Sequence, residues 1–527
     1  MREPHLTSTK PNHHTPPHHT PTTRLAHRRP ILPVLYHPSK LDLKEDPTMY
    51  TRLQLTDTPP APAPTPDAAL ALFITQDPNA LPTLPDTPRL FLVGLGNAAS
   101  LKPKTLQTAA AALLRAAFAA HVTQLQLLTP PTAFSTLNTP GRPLALGLTL
   151  ANFHFTDHLG SAHTNHQPER DLTLSLPPEL LNDARTGQAI GDATNHARTL
   201  AATPPNLATT SALADDARQS ADRHDTLTCD VLEADQLAEL SFGGLLAVGR
   251  AGHHPPRLVQ LTHTPADPEH AKRQPVILVG KGITFDTGGY SLKATGGLHM
   301  KYDKCGGCAV LAALPLAAQL NLPFPVIGFV PLAENMVDST AFRPDDILTM
   351  HNGVTVEITN TDAEGRLILA DTLAYATAQH DPAAIIDMAT LTGGVVTALG
   401  SQTAGLWANR DTLKTQLMDA AEAAGESFWR LPCFDEHRKQ MTSSHADLLN
   451  SSPKRDAHPI QGAAFLSYFV GEDAPKKNPM SNDAAPAWAH LDIAGTATTD
   501  TGMPRYDKGP TGTPVPTLAE YLLALTS

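Results

Sequence analysis

Short apolar runs alternate with longer stretches of helical spacing along most of this chain. Residues 90–96 are apolar and end in glycines, the Ala-rich 106–120 reads as a helix, and 124–128 reads as the next strand. The alternation resumes after residue 200. Residues 211–225 have helical spacing, and two strands follow, ending near 259–261. Strand, glycine-bearing loop and helix then repeat through 276–279, 306–320, 326–330, a hairpin, a helix after Arg366 and 384–387. This order predicts an α/β fold with a mixed, largely parallel sheet flanked by helices. In such sheets, sites form at the carboxyl ends of strands.

The first 66 residues break the pattern. They hold 14 of the 49 prolines, and seven histidines fall before residue 50. Such a stretch buries too little apolar surface to offset its ordering entropy, so residues 1–67 are expected to be a disordered tail. Its His13-His14 and His18-His19 pairs are read as part of that tail rather than as a metal site. Met49 opens more ordinary sequence and is a candidate start of translation, which an intact-mass measurement would test. Residues 68–190 are expected to form a small α/β domain and 191–527 the larger one. Their joint is placed at residues 195–200 and the Pro204-Pro205-Asn206 break.

Composition narrows the function classes. With 527 residues the chain is long enough for two or three domains. Its net charge of −12 disfavours binding driven by a nucleic-acid backbone. Four cysteines are too few for a disulfide scaffold and suit a reducing compartment. No apolar run approaches the roughly 18 residues of a membrane span, and no apolar block resembles a secretory signal. A cytoplasmic location with no membrane partner is expected.

The most informative segment is Asn360-Thr361-Asp362-Ala363-Glu364-Gly365-Arg366-Leu367. It follows a hairpin pattern at 347–358, whose Asn352-Gly353 pair signals a two-residue turn. It precedes a helix over 366–379, with Leu367, Ala370, Leu373 and Thr377 on one face. If the octet stays extended, parity puts Asn360, Asp362, Glu364 and Arg366 on one side. That set suits a metal or phosphate site, although Glu364 alone also suits a helix N-terminus.

A second region supplies companions. Lys281, Asp286 and Lys293 are the only charges in a glycine-rich segment after the 276–279 strand, and Asp303 sits near the next helix start. For Asp303 in isolation, capping accounts for the position. Taken together, Asp286, Asp303, Asp362 and Glu364 all lie at element ends. Four carboxylates repel at close range unless cations neutralise them, and two divalent ions would balance four charges. Cys305-Gly306-Gly307-Cys308 has the spacing of redox or zinc pairs, but no second pair or nearby His completes a set. Small buried thiols are expected there.

The octet, together with Gly280-Lys281-Gly282-Ile283-Thr284-Phe285-Asp286-Thr287-Gly288-Gly289, Lys293 and Met300-Lys301-Tyr302-Asp303, resembles the site motifs of the leucyl aminopeptidase (cytosol aminopeptidase) family. Asn206 with its prolines, Ala389-Thr390-Leu391-Thr392-Gly393 and the segment Trp488 to Thr496 extend the resemblance over about 190–527. It implies a small N-terminal α/β (macro-like) domain and a C-terminal catalytic α/β domain. It also implies a hexamer that cleaves N-terminal residues from short peptides. Two metal ions are implied, zinc, manganese or magnesium. Asp286 and Glu364 would bridge them, Lys281 and Asp303 would complete one, and Asp362 the other. A lysine ligates only when neutral, which two adjacent dications favour. By the same resemblance Lys293 stabilises the developing oxyanion, and Arg366 holds a bicarbonate proton shuttle with backbone near Gly365 and Leu391. Met300, Thr390, Gly393 and Ala494 match a side-chain pocket suited to leucine-like residues. Asn360 is expected to support the substrate backbone.

Departures from the family are few. Lys304 stands where an apolar residue is common, Cys308 where a small one is, and the loop between Lys293 and Asp303 is one residue short of many members. Two other readings remain open at this level. One is a different two-metal hydrolase such as a phosphatase, and the other a DNA-binding accessory protein.

Overall fold

The computed structural model describes residues 53–56, 68–74, 90–128, 134–162, 171–294, 297–481 and 485–526. Most of the expected 1–67 tail lies outside them. One part of it does not: Leu53–Thr56 is a strand, β1, so the expected tail boundary is too late. Its short alternation of Leu53 and Leu55 is hidden by the proline-rich sequence that follows. β1 joins β2 (Ala68–Ile74), β3 (Leu90–Gly94), β4 (Gln124–Leu127) and β5 (Leu172–Ser175) in a sheet of order β1-β5-β4-β2-β3, parallel throughout. Helices Pro103–Ala119 and Gly141–Ala151 pack with it around Leu106, Leu113, Leu125, Leu144 and Leu172.

The joint between the two domains differs from expectation. Residues 195–200 belong to one continuous helix, Pro178–Ala202, which passes through the proposed 190/191 boundary. Pro204 and Pro205 lie just beyond its end, so they terminate the helix rather than separate the domains. Its Arg198 is buried and donates to Leu150 O and Pro510 O, tying both parts of the chain to the helix.

The larger sheet contains β6 (Leu227–Leu232), β7 (Arg257–His263), β8 (Val276–Gly280), β9 (Gly282–Asp286) and β10 (Val326–Asn335). The hairpin strands β11 (Ile347–Thr349) and β12 (Thr355–Glu357) form a separate small sheet. Then come β13 (Ala384–Ala389), β14 (Ala404–Ala408), β15 (Phe428–Arg430), β16 (Leu448–Leu449), which joins the hairpin, and β17 (Trp488–Asp492). The large sheet runs β15-β14-β17-β13-β8-β10-β7-β6, with β9 also on β10. Its centre is parallel, and β6, β7 and the β14–β17 pair bring in antiparallel pairing.

The central strands show why their sequence reads as unbroken apolar runs. Val276 and Leu278 of β8 face one core, with helix Cys305–Gln319, while Ile277 and Val279 face the other, with helix Gly365–Gln379. With both faces covered, alternation has no polar side to display. Each such Ile or Leu contributes on the order of 2 kcal/mol of burial.

The hairpin also differs from expectation. Asn352-Gly353 is not a two-residue turn: Met350 pairs back to Val354, and His351, Asn352 and Gly353 form a three-residue loop with Gly353 at φ +82°. That is the three-residue hairpin geometry, with glycine in the left-handed position.

Candidate active site

The carboxyl ends of β8, β9, β13 and β17 lead into one cavity of about 520 Å³. A larger groove of about 700 Å³ lies between β3 and helix Pro103–Ala119, but its only charged lining groups are Lys102 and Lys104. The chemistry belongs to the smaller cavity, because Lys281, Asp286, Lys293, Asp303, Asp362, Glu364 and Arg366 all line it.

Local folding explains each placement. Lys281 lies between β8 and β9, and Asp286 ends β9 beside Asn335, its register partner on β10. Asn335 Nδ2 and the Gly288 amide each donate to Asp286 Oδ1 at 2.8 Å, leaving Oδ2 toward the cavity. Gly288 has φ +88°, which a side chain would resist. Asp303 follows the short turn Met300–Tyr302. It does not cap the next helix; its Oδ1 accepts from Thr390 Oγ1 at 2.7 Å.

The octet is not extended. Asn360 Oδ1 accepts from the Asp362 amide at 2.9 Å, closing a turn, and Glu364 is already helical at φ −74°, ψ −37°. Turn and helix start, rather than strand parity, bring the four polar residues to one cavity. Glu364 stands at the N-cap of that helix, where its charge suits the helix dipole, but it makes no side-chain cap bond. Gly365 does not line the cavity: a Cβ there would meet Lys281 Nζ at 2.6 Å, so the glycine admits the lysine.

Two ammonium groups bind four carboxylates. Lys281 Nζ lies 2.8 Å from both Asp303 Oδ1 and Glu364 Oε1, and donates to Thr390 O at 3.0 Å. Lys293 Nζ lies 2.8 Å from Asp286 Oδ2 and 2.5 Å from Asp362 Oδ1. Burial pushes both ammoniums down, but the surrounding carboxylates outweigh it and hold both above the usual lysine range. Burial and then the Asp286 charge raise Glu364 and Asp362, and burial raises Asp303 despite Lys281. Four carboxylates thus share the cavity with two ammoniums and the Arg366 guanidinium, one positive charge fewer than negative.

Unpartnered atoms point the same way. Glu364 Oε2 and Asp303 Oδ2 are buried without a hydrogen bond. Asp286, Asp362 and Glu364 can each offer an oxygen with all three within 4.8 Å. Such a donor set fits hard divalent cations. Arg366 Nη1 donates to Asn450 O at 2.9 Å while its buried Nε has no partner, which fits an anion. Burial lowers Arg366 only to about 10, so it remains charged at neutral pH.

Met300, Asn360, Thr390, Leu391, Gly393 and Ala494 also line the cavity. Leu391, whose backbone neighbourhood is expected to assist bicarbonate, donates its amide to Asp492 Oδ1 at 3.1 Å. Sequence reading missed several contributors. Asp492 lies in a quoted motif, yet its bonds to Thr392 Oγ1 and the Leu391 and Ala494 amides are visible only in the fold. Asn450 holds the octet through Thr359, Asn360 and Ala363. Half-buried His458 lines the cavity, its imidazole pushed down by burial and by Arg366. Neither Asn450 nor His458 lies in a segment with a recognisable pattern. The Cys305 and Cys308 thiols are buried as expected, Cys308 being pushed up to about 12 by burial.

A family model described as the catalytic domain of the cytosol aminopeptidase family matches residues 195–519, and its N-terminal domain model matches 79–159. Probable cytosol aminopeptidases of Nitrosospira multiformis and Azotobacter vinelandii are each 40% identical over 452 residues. Those alignments cover 83% and 84% of this chain, and 82% and 86% of the relatives. Among solved structures, the bottromycin maturation enzyme BotP in complex with Mn is similar with a TM-score of 0.76 and 34% identity. That match covers 88% of this chain and all of BotP.

Proposed function

The chain belongs to the cytosol aminopeptidase family, a metal-dependent aminopeptidase acting on peptides, and from that premise we propose how its cavity works. The reading is that it releases leucine-like N-terminal residues from short peptides with two divalent ions, manganese, zinc or magnesium, per subunit. One observation carries it. Four carboxylates face only two ammonium groups, and two of their buried oxygens, on Glu364 and Asp303, have no partner.

Asp286, Glu364, Asp362, Asp303 and Lys281 would hold the ions between them. Bound there, the pair supplies an activated water and polarises the scissile carbonyl. Lys281 must lose its proton to serve, and replacing its carboxylate partners' free charge with dications favours that loss. Lys293 has its ammonium in the same cavity, where it hydrogen-bonds the carbonyl oxygen as negative charge develops. Arg366, fixed through Nη1 and open at Nε, would hold bicarbonate with backbone near Gly365 and Leu391, which would supply a proton shuttle there. Since Leu391 gives its amide to Asp492, Arg366 bears most of that load. Met300, Thr390, Gly393 and Ala494 form the side-chain pocket, and their small or apolar character suits leucine. Asn360 supports the substrate backbone. A homohexamer is proposed with the same family reading.

The test is metal-stripped protein given leucine p-nitroanilide. Activity should return on addition of Mn²⁺ or Zn²⁺, with two ions bound per chain and no phosphate released from aryl phosphates. Phosphate release without anilide cleavage would refute the reading.

A further inference from the structure

Lys304 is fully buried, and among the described residues no carboxylate lies within salt-bridge distance of its ammonium. Its Nζ instead donates to three main-chain carbonyls: Ala201 O at 3.2 Å, Thr203 O at 3.2 Å and Lys301 O at 2.5 Å. Lys301 Nζ donates to the carbonyl between the first two, Ala202 O, at 2.7 Å. Ala201, Ala202 and Thr203 close the 25-residue helix Pro178–Ala202, which has no basic residue in its own last turn. The final carbonyls of a helix lack intrahelical donors and carry its negative dipole end. Here both needs are met from another part of the chain.

That other part is the turn bearing Asp303. Lys301 and Lys304 flank Asp303, whose carboxylate reaches Lys281 and Thr390 in the cavity. The helix they grip packs against Gly141–Ala151 of the N-terminal domain and Cys305–Gln319 of the catalytic one. We propose that Lys304 is a positioning residue for Asp303, its buried ammonium fastening the Asp303 turn to the carboxyl end of the Pro178–Ala202 helix.

An apolar side chain at 304 would fill the volume but take this donor from the buried Ala201 O and the half-buried Thr203 O and Lys301 O. The turn would then be free to shift toward water, and Asp303 with it. Lys301 alone reaches only Ala202 O, so it does not replace the grip on the two neighbouring carbonyls.

The inference rests on Asp303 being a metal ligand, and the test separates the two. Full-length protein, stripped of metal, is titrated with Mn²⁺ by calorimetry in wild-type and Lys304→Ala forms, with and without methylammonium. In Lys304→Ala, one of two Mn²⁺ sites should weaken by about tenfold or more, as loss of a supporting partner does, while the other keeps its affinity. Methylammonium, a free ammonium small enough for the vacated space, should restore the weakened site and leave wild type unchanged. Lys304→Gln, which keeps two donors without charge, should fall between and decides the matter by the same criteria if the alanine variant does not fold. Unchanged Mn²⁺ isotherms in a folded variant would overturn the positioning role. Equal loss of both sites with no response to methylammonium would overturn it too, since that marks general damage. Wild-type protein that takes up no Mn²⁺ would instead sink the two-metal reading itself.

Discussion

At the scale of single residues, the cavity is a problem of charge balance. Lys281 and Lys293 each hold two carboxylates, yet burial raises Asp303, Asp362 and Glu364, and the Asp286 charge adds to it. The sign of the resulting pH effect follows. An acid whose folded value is raised stabilises the fold most below its ordinary value and loses that contribution as pH rises. The raised lysines keep theirs until well above neutrality. Metal-free protein should therefore lose thermal stability as pH rises from about 5 toward neutrality, whereas Mn²⁺-loaded protein should not; melting curves of both forms across that window check this. Lys293→Ala should lower kcat by about a hundredfold, as expected for removal of one oxyanion donor, with metal content staying near two per chain. Loss of metal in that variant would reassign Lys293 to the ligand set. Asp303→Ala should weaken one metal site, and an unaltered metal content measured by atomic emission would remove Asp303 from the proposed ligands.

At the scale of elements, the site depends on connections that hold one another rather than on any one loop. Asn450, just after β16, accepts from the Thr359 and Asn360 amides and donates to Asn360 O and Ala363 O. Asn450→Ala would take the acceptor from the Thr359 and Asn360 amides and a donor from Asn360 O and Ala363 O, at a cost of about 1–3 kcal/mol. It should also loosen the turn that presents Asp362 and Glu364. Denaturant unfolding and Mn²⁺ affinity should both fall, and a drop in stability with metal affinity intact would separate the octet's geometry from Asn450. This residue also marks the limit of what sequence could tell. Lys281, Asp286, Lys293, Asp303 and the octet stood out because charges are rare in glycine-rich strand ends, and the structure brings them together. Asn450 and Asp492 act through tertiary contacts with residues 84 to 101 positions away, and His458 through its place beside Arg366, for which no local pattern exists. The octet's convergence was legible, but its cause was not: parity assumed an extended backbone, while an Asn360 turn and an early helix start produce the same outcome. Helix Pro178–Ala202 escaped as a bridge for a related reason, because the prolines after it read as a domain break.

At the scale of the whole molecule, the proposed hexamer is the property least visible in one chain. The segment that carries the ligands nevertheless has an unusual surface. Leu292 and Leu298 are 65% and 70% exposed, and Tyr290 is 49% exposed, all between Asp286 and Asp303. Single exposed leucines are ordinary, but three large apolar side chains on one short ligand-bearing segment invite cover. A neighbouring subunit resting there would remove apolar area from water and narrow the approach to the cavity. Substrates would then be limited to short peptides that can thread an N-terminus inward. Light scattering should give a mass about six times the 56.1 kDa chain. Leu298→Glu, which places a charge on that segment while touching no proposed ligand, should shift the population to smaller species. Cleavage of long, folded chains by the wild-type protein should be slow relative to short peptides, and the variant should narrow that difference. A wild-type mass equal to one chain would refute the assembly, and a hexameric Leu298→Glu protein with unaltered length preference would place the subunit contact elsewhere.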